Sequence, residues 1–453
     1  MKLAFYGAVE DVTGSCFLLE TAGGNLLIDC GMHQGERMCA KTNLEPFGFP
    51  VASVNAVVVT HAHFDHTGRL PDLVKQGYTG KIFMTPPTKS LTEIVLEDSV
   101  HIMAENAKKC GDAVPYEEKD LKAMLEQVVA VPYHHVETPF AGTTIEFFNA
   151  GHILGSSFIR VVVDDAGISK TLIFSGDVGS DDVPILPDTE ARPDADVVVC
   201  EATYGAKDHE KVAVREPKLA EFVKKIIARE GTVIIPAFSV ERTQELIFAL
   251  DNLLQRGEIP NIPMYLDSPL AIRATQIYRH FSDELSFDHP AAPGKDEDLF
   301  QFSTLVETLT QEKSKLINED LRPKIIIAGN GMMTGGRVLH HMAHYIDDAR
   351  TGLLIIGYQA NGTLGQKIQQ GATEISIFGE KHTVRAEVFT IDAFSAHGDQ
   401  SKLTKFVNGS GVLPKHVFLV HGEGETKEKF AEHLKLTLGV DVAIPHVNQI
   451  YEL

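Results

Sequence analysis

The residues with the clearest chemical capacity are His61, His63, Asp65 and His66, in the run VVVTHAHFDHTG from Val57 to Gly68. Imidazole and carboxylate donors without a thiolate suit a hydrolytic zinc site with an open coordination position. His61 and His63 stand two apart, so in extended chain they project to one side. Asp65 and His66 follow as the chain turns away and reach a second point nearby. Such spacing fits two adjacent metal ions better than one. A surface loop that merely contains histidines would not need the apolar run before it. Val57 to Val59 read as a strand buried on both faces, which delivers the ligands at its C-terminal end.

Other strand ends carry matching groups. Apolar segments run into Asp29, into AGHILGSS at His152, into SGDVG at Asp177 and into EATYG at Glu201. A dinuclear site needs a third histidine and a bridging carboxylate, and His152 and Asp177 supply them. Asp29 stands where it can cap a turn or orient a metal histidine from behind. Late in the chain, His397 and His421 again follow apolar strands and are flanked by glycine. His101, His134 and His135 fall on or near helical segments and read as surface or packing residues.

The texture changes from about residue 205. Lys218 to Arg229 has the spacing of an amphipathic helix. The short apolar strands TVIIP, MYL, KIIIA and LLIIG then alternate with helical segments, the pattern of a doubly wound parallel sheet. The third strand leads into a glycine-rich loop, Gly329 to Arg337, and a helix expected over 338–346. Exposed amides at a helix N-terminus favour anions, so Gly335, Gly336, Arg337 and Arg242 are the candidate phosphate contacts. No Walker-type GxxxxGK[ST] is present, which disfavours nucleotide hydrolysis. The strand-end texture of the first part returns near residue 382. The expected domains are therefore 1–205, an insertion over 206–381, and a C-terminal return over 382–453.

Composition limits the partners. The chain has 453 residues, 43% of them hydrophobic, and a net charge of −21. That acidity argues against broad nucleic-acid binding through a basic face, but not against local phosphate binding by metals and a few arginines. The N-terminus reads as neither signal peptide nor membrane span. Five cysteines without a Cys-x-x-Cys spacing suggest a reducing, cytoplasmic setting.

Together DCG at Asp29, HAHFDHTG, AGHILGSS, SGDVG, CEATYG, DAFSAHGD and LVHGE resemble the motifs of the metallo-β-lactamase superfamily. With PAFSVERTQEL, LDSPLA, GMMTGGR and GYQANGTLGQ in the insertion, the chain resembles the β-CASP ribonucleases, close to the nuclease subunit of the cleavage and polyadenylation machinery and its prokaryotic relatives. The resemblance implies an αββα metallo-β-lactamase sandwich with an inserted α/β β-CASP domain. It implies two zinc ions, with manganese as the alternative metal. One ion would be held by His61, His63 and His152, the other by Asp65, His66 and His421, with Asp177 between them. His397 would donate a proton or hold the scissile phosphate, with Glu201 orienting it. Ser395 would join the phosphate contacts. The implied substrate is single-stranded RNA, the implied products carry 3′-hydroxyl and 5′-phosphate ends, and homodimerisation is expected by likeness. No extra RNA-binding domain is expected ahead of the first strand. The rivals are a DNA nuclease of the same branch, where valine commonly replaces the last histidine, a small phosphodiester or thioester hydrolase of the same fold, and a catalytically dead RNA-binding subunit.

Overall fold

Alternation along short strands builds the first unit. In the computed structural model, which describes residues 1–34, 41–110, 113–165, 167–286, 300–360 and 362–453, strand Ala56–Val58 is buried throughout. Ala56 and Val58 enter one hydrophobic cluster, whereas Val57 and Val59 enter another. Successive side chains of a strand point to opposite faces, so both faces of this strand are covered.

The first unit comprises Met1–Asp181, Leu186–Asp208 and His397–Leu453. It contains two seven-stranded sheets. Leu3, Phe5, Phe17, Ile28 and Val58 of one sheet pack with Ile145, Ile159, Phe174, Val199 and Phe418 of the other. The opposite face of the first sheet is covered by Leu70 and Leu73, Leu96, Leu121 and Met124 from three helices. That of the second is covered by Leu403 and Phe406 from helix Gln400–Asn408 and by Phe430 and Leu434 from helix Gly424–Thr437. The layers are thus helix, sheet, sheet, helix, the expected αββα sandwich. Each fully buried Leu, Ile, Val or Phe contributes about 1.5–3 kcal/mol.

In each sheet four neighbouring strands run parallel. Asn25–Ile28, Ala56–Val58, Lys81–Met84 and Val128–Ala130 do so in the first. Ile168–Phe174, Val197–Glu201, His416–Val420 and Asp441–Ala443 do so in the second. Ligands of parallel sheets gather beyond the C-terminal strand ends. Asp29, His61, Asp177, Glu201 and His421 all occupy such ends.

The second unit, Asp182–Ile185 with His209–Ala396, holds a six-stranded parallel sheet. Its order is Leu305–Glu307, Met264–Asp267, Lys324–Ala328, Thr232–Pro236, Gly352–Ile355, Glu387–Thr390. The last strand corrects the sequence reading, which assigned residues from 382 onward to the first domain. Glu387–Thr390 pairs parallel with Gly352–Ile355. As a half-buried edge strand it alternates like the strands of the first unit, and periodicity alone does not separate the two.

Of the cysteines, Cys16, Cys30 and Cys200 are buried free thiols, and Cys39 lies outside the described residues. Among the described residues no helix is long and apolar enough to cross a membrane. His134 and His135 are more than half exposed, facing Glu190 and Glu137, and His101 is exposed.

Candidate metal centre

The loop after Ala56–Val58 turns into a single helical turn, Phe64–Thr67, which carries Asp65 and His66. It is clamped from the neighbouring strand ends: Ser15 N–H donates to the Asp65 carbonyl at 2.8 Å and Cys30 N–H to the His66 carbonyl at 2.9 Å. Two glycines permit the close approach of two pairs of loops. A Cβ on Gly31 would lie 1.6 Å from the Asp65 carbonyl oxygen, and one on Gly179 would lie 1.9 Å from that of Gly151.

Two main sets of donors result. His61, His63, His152 and Asp177 form one, and Asp65, His66 and His421 another, each with its ligand atoms within 4.8 Å of one another; a third such group, Asp177, Glu201 and His421, draws on both. In the first set, His63 Nδ1 lies 3.1 Å from His61 Nε2 and 3.2 Å from His152 Nε2. Asp177 Oδ2 lies 3.4 Å and 3.5 Å from those same two Nε2 atoms. A tetrahedral zinc ion with bonds of about 2.0 Å requires donor separations of about 3.3 Å, so these four atoms fit a zinc-sized cation. In the second set, His421 Nε2 and Asp65 Oδ2 are 3.2 Å apart. His66 Nε2 faces the other Asp177 oxygen, Oδ1, at 3.4 Å. Oδ1 is buried without a hydrogen-bond partner among the described residues. Asp177 therefore turns one oxygen to each set, as a bridging ligand would.

Outer partners fix the rings. Asp29 Oδ2 accepts from His66 Nδ1 at 2.8 Å, and Asp29 itself accepts from Thr60 N–H at 2.8 Å. Thr60 Oγ1 donates to Asp29 and lies 3.1 Å from His61 Nδ1. A proton fixed on Nδ1 leaves the Nε2 lone pair for a metal.

Protonation follows from these surroundings. Burial and neighbouring histidines hold His61 and His152 below the ordinary imidazole value and His63 at about 3. For His66 and His421, burial is outweighed by carboxylates, Asp177 foremost, so His66 is raised well above its usual value and His421 reaches about 9. Burial would raise Asp65 and Asp177, yet the same histidines lower both. In the second set imidazolium protons thus stand where a cation would replace them, and metal binding there releases protons.

His397 stands beside the two sets. Its Nδ1 is 3.2 Å from both Glu201 oxygens and 3.9 Å from Asp177 Oδ2. Glu201 is fully buried and also accepts from Val178 N–H at 2.6 Å. Burial disfavours a charged His397, but the Glu201 carboxylate overcomes it and raises the pKa. The Asp65 and His397 side chains keep 14% and 16% of their exposure, whereas His61, His66, His152, Asp177 and His421 are almost sealed. The open side of the centre is therefore the side of Asp65 and His397.

Seven candidate ligands, Asp29, Glu201 and His397 are thus brought together in the first unit. Sequence reasoning missed Thr60 and Thr203, although each stands within two residues of a group singled out, His61 and Glu201. A hydroxyl adjacent to a metal histidine is the signal that would have found Thr60.

The candidate phosphate contacts Arg242, Ser395, Gly335, Gly336 and Arg337 belong to the second unit. Gly335 is open, with nothing within 4 Å of where a Cβ would stand, and Gly336, at φ 78°, caps helix Arg337–Tyr345. Ser395 is buried. Arg242 is buried as well: its Nη1 bonds Glu245 and the Phe394 carbonyl, Nη2 lies 3.9 Å from Glu241 Oε1, and neither Nε nor Nη2 has a hydrogen-bond partner among the described residues. Arg337 departs from the expectation of a free phosphate ligand. Its Nη1 donates to Asp267 Oδ1 at 2.6 Å and to the Thr308 carbonyl at 2.8 Å, and its Nη2 to the Leu309 carbonyl at 2.9 Å. The physical reason is Asp267, a fully buried carboxylate that needs a cation.

This pairing has a measurable consequence. His341 Nε2 and Ser314 Oγ also bond Asp267, at 2.7 Å and 2.6 Å. Burial would raise the Asp267 pKa, but these bonds lower it to about 2. A lowered folded-state pKa gives stability that is full above the unfolded value and is lost as pH falls through the folded one. Asp267→Asn is expected to lower unfolding free energy by about 2–3 kcal/mol at pH 7 in urea denaturation. The deficit against wild type should shrink between pH ~4 and ~2. An unchanged midpoint at pH 7 would remove the assigned role.

Comparison with known proteins places these features. Family models match in three stretches: metallo-beta-lactamase superfamily over residues 9–200, Beta-Casp domain over 243–368, and Zn-dependent metallo-hydrolase RNA specificity domain over 381–445. The chain is 37% identical to ribonuclease TTHA0252 of Thermus thermophilus, covering 94% of each protein. It is 32% identical to transcription termination factor FttA of Methanosarcina mazei, over 93% of this chain and 67% of that one. It is 30% identical to an RNase J-like protein of Methanocaldococcus jannaschii, over 98% and 97%. A crystal structure of a protein of unknown function from Enterococcus faecalis V583 shares the fold, with TM-score 0.53 and 11% identity across 100% of this chain and 99% of that one.

Proposed function

We propose, from the premise that this chain belongs to the β-CASP branch of the metallo-β-lactamase hydrolases, that it is a dinuclear-zinc ribonuclease cleaving phosphodiester bonds of single-stranded RNA. The observation that carries the reading is the His397–Glu201 pair set against two donor sets that share Asp177. RNA as substrate is supported by the RNA specificity domain match over 381–445 and by the ribonuclease relative.

His61, His63 and His152 would hold one ion, Asp65, His66 and His421 the other, and Asp177 both. Two such ions, when bound, acidify a water as nucleophile and neutralise charge on the phosphoryl oxygens. The chain's own groups do the rest. Asp29 and Thr60 keep the Nε2 lone pairs of His66 and His61 turned inward. Glu201 holds His397 at Nδ1, which leaves Nε2 to deliver a proton to the departing sugar oxygen. The raised His397 pKa keeps that proton available at neutral pH. The partly exposed side of Asp65 and His397 is where the scissile phosphate approaches.

The test is incubation of metal-replete protein with 5′- and 3′-labelled RNA and DNA oligomers. The expected result is cleavage of single-stranded RNA to 5′-phosphate and 3′-hydroxyl ends, with DNA largely intact. Equal cleavage of DNA, or turnover of thioesters with RNA untouched, would overturn the assignment.

A further inference from the structure

We propose that Thr203 is the residue that holds His421 as an Nε2 ligand, and so controls the second metal ion without touching the first. The inference rests on the dinuclear reading above. Thr203 is buried and lies just beyond the end of strand Val197–Glu201. Its Oγ1 is 3.1 Å from the His421 carbonyl oxygen and 3.1 Å from His421 Nδ1. A carbonyl can only accept, and a hydroxyl has one proton to give. The Thr203 proton therefore goes to the carbonyl, and its oxygen accepts from Nδ1–H. That arrangement fixes the tautomer in which Nε2 carries the lone pair.

The surroundings of Nε2 show what the lone pair is for. It faces Asp65 Oδ2 at 3.2 Å, where the imidazolium proton of the metal-free site stands and where a metal ion would replace it. The backbone of His421 is held as firmly as its ring. It sits at φ 47°, a left-handed conformation unusual outside glycine. Its N–H donates to the Ala8 carbonyl at 2.5 Å, and its carbonyl accepts from Ala202 N–H at 3.2 Å as well as from Thr203. Thr203 thus grips one residue at both backbone and ring.

The arrangement also matches its neighbours. His61 and His66 each meet an outer group at Nδ1, Thr60 and Asp29 respectively. Thr203 completes that series for a histidine that arrives from a different part of the chain. Of the seven candidate ligands, its hydroxyl bonds His421 alone among the described residues. Loss of the hydroxyl should therefore weaken the Asp65, His66, His421 set and spare the His61, His63, His152 set.

The experiment is a zinc titration of metal-stripped protein in competition with a colorimetric zinc chelator, for wild type, Thr203→Val and Thr203→Ser. Wild type is expected to take up two ions. In Thr203→Val the first ion should bind as in wild type, which reports a folded site. The second should bind about 10–100-fold more weakly, the usual cost of losing an outer partner. Thr203→Ser, which keeps the hydroxyl, should restore the second ion to near wild-type affinity. Wild-type binding of both ions by Thr203→Val, equal weakening of both, or failure of Thr203→Ser to restore the second would overturn the proposal. A wild type that takes up only one ion would overturn the dinuclear reading itself, and the inference with it.

Discussion

His397→Ala should cleave single-stranded RNA about 10²–10⁴-fold more slowly than wild type, the range for removing a positioned acid or base, while keeping its metal ions. Both halves of that expectation come from geometry. His397 Nδ1 is engaged by Glu201 at 3.2 Å and stays 3.9 Å from the nearest Asp177 oxygen, so the ring stands beside the donor sets and belongs to neither. Its loss removes a proton donor and no ligand. Single-turnover cleavage of an end-labelled RNA, with zinc content measured on the same preparation, separates the two effects. Wild-type cleavage would remove His397 from the chemistry, whereas loss of zinc together with activity would make it a ligand. Glu201→Gln should give a smaller loss in the same direction, because the ring remains but its carboxylate partner does not.

Asp177→Asn is expected to do more damage. The substitution keeps the shape and removes the charge from the one group that faces both donor sets, with Oδ2 toward His61 and His152 and Oδ1 toward His66. Oδ1 has no hydrogen-bond partner among the described residues, so a cation is its natural complement. Bound-ion content should fall from about two per chain to one or fewer. Cleavage should drop by at least about 10³-fold, since the lost charge stabilisation is worth several kcal/mol. Full zinc content in the variant would show that the carboxylate charge is not what holds the ions.

Much of this centre was legible in the sequence because ligand geometry there is local. A buried strand ending in HxHxDH constrains four donors within a few residues. His152, Asp177, Glu201 and His421 carried weaker signals, each being a polar residue after an apolar strand. They gained force only as a set, since nothing in the sequence measures the distance between strand ends. The helix–sheet–sheet–helix layering was implied by the family resemblance, and the strand read as buried on both faces agrees with it, since Val57 and Val58 divide between two cores.

What was not legible depended on tertiary partners. Arginine beside a glycine-rich loop looks like a phosphate ligand until Asp267, distant in sequence, claims its guanidinium. Arg242 reads as a phosphate contact, yet the fold buries it against Glu245. The edge strand Glu387–Thr390 alternates like a strand of the first unit and pairs in the second. Thr60 and Thr203 are ordinary threonines in sequence, and only their distances to His61 and His421 give them a task.

The central claim is that two donor sets sharing Asp177 hold two metal ions. Anomalous diffraction at the zinc edge from crystals of the metal-replete protein tests it most directly. The account predicts two peaks, one amid His61, His63, His152 and Asp177 and the other amid Asp65, His66, His421 and Asp177. A single peak, or peaks displaced from these residues, would contradict it.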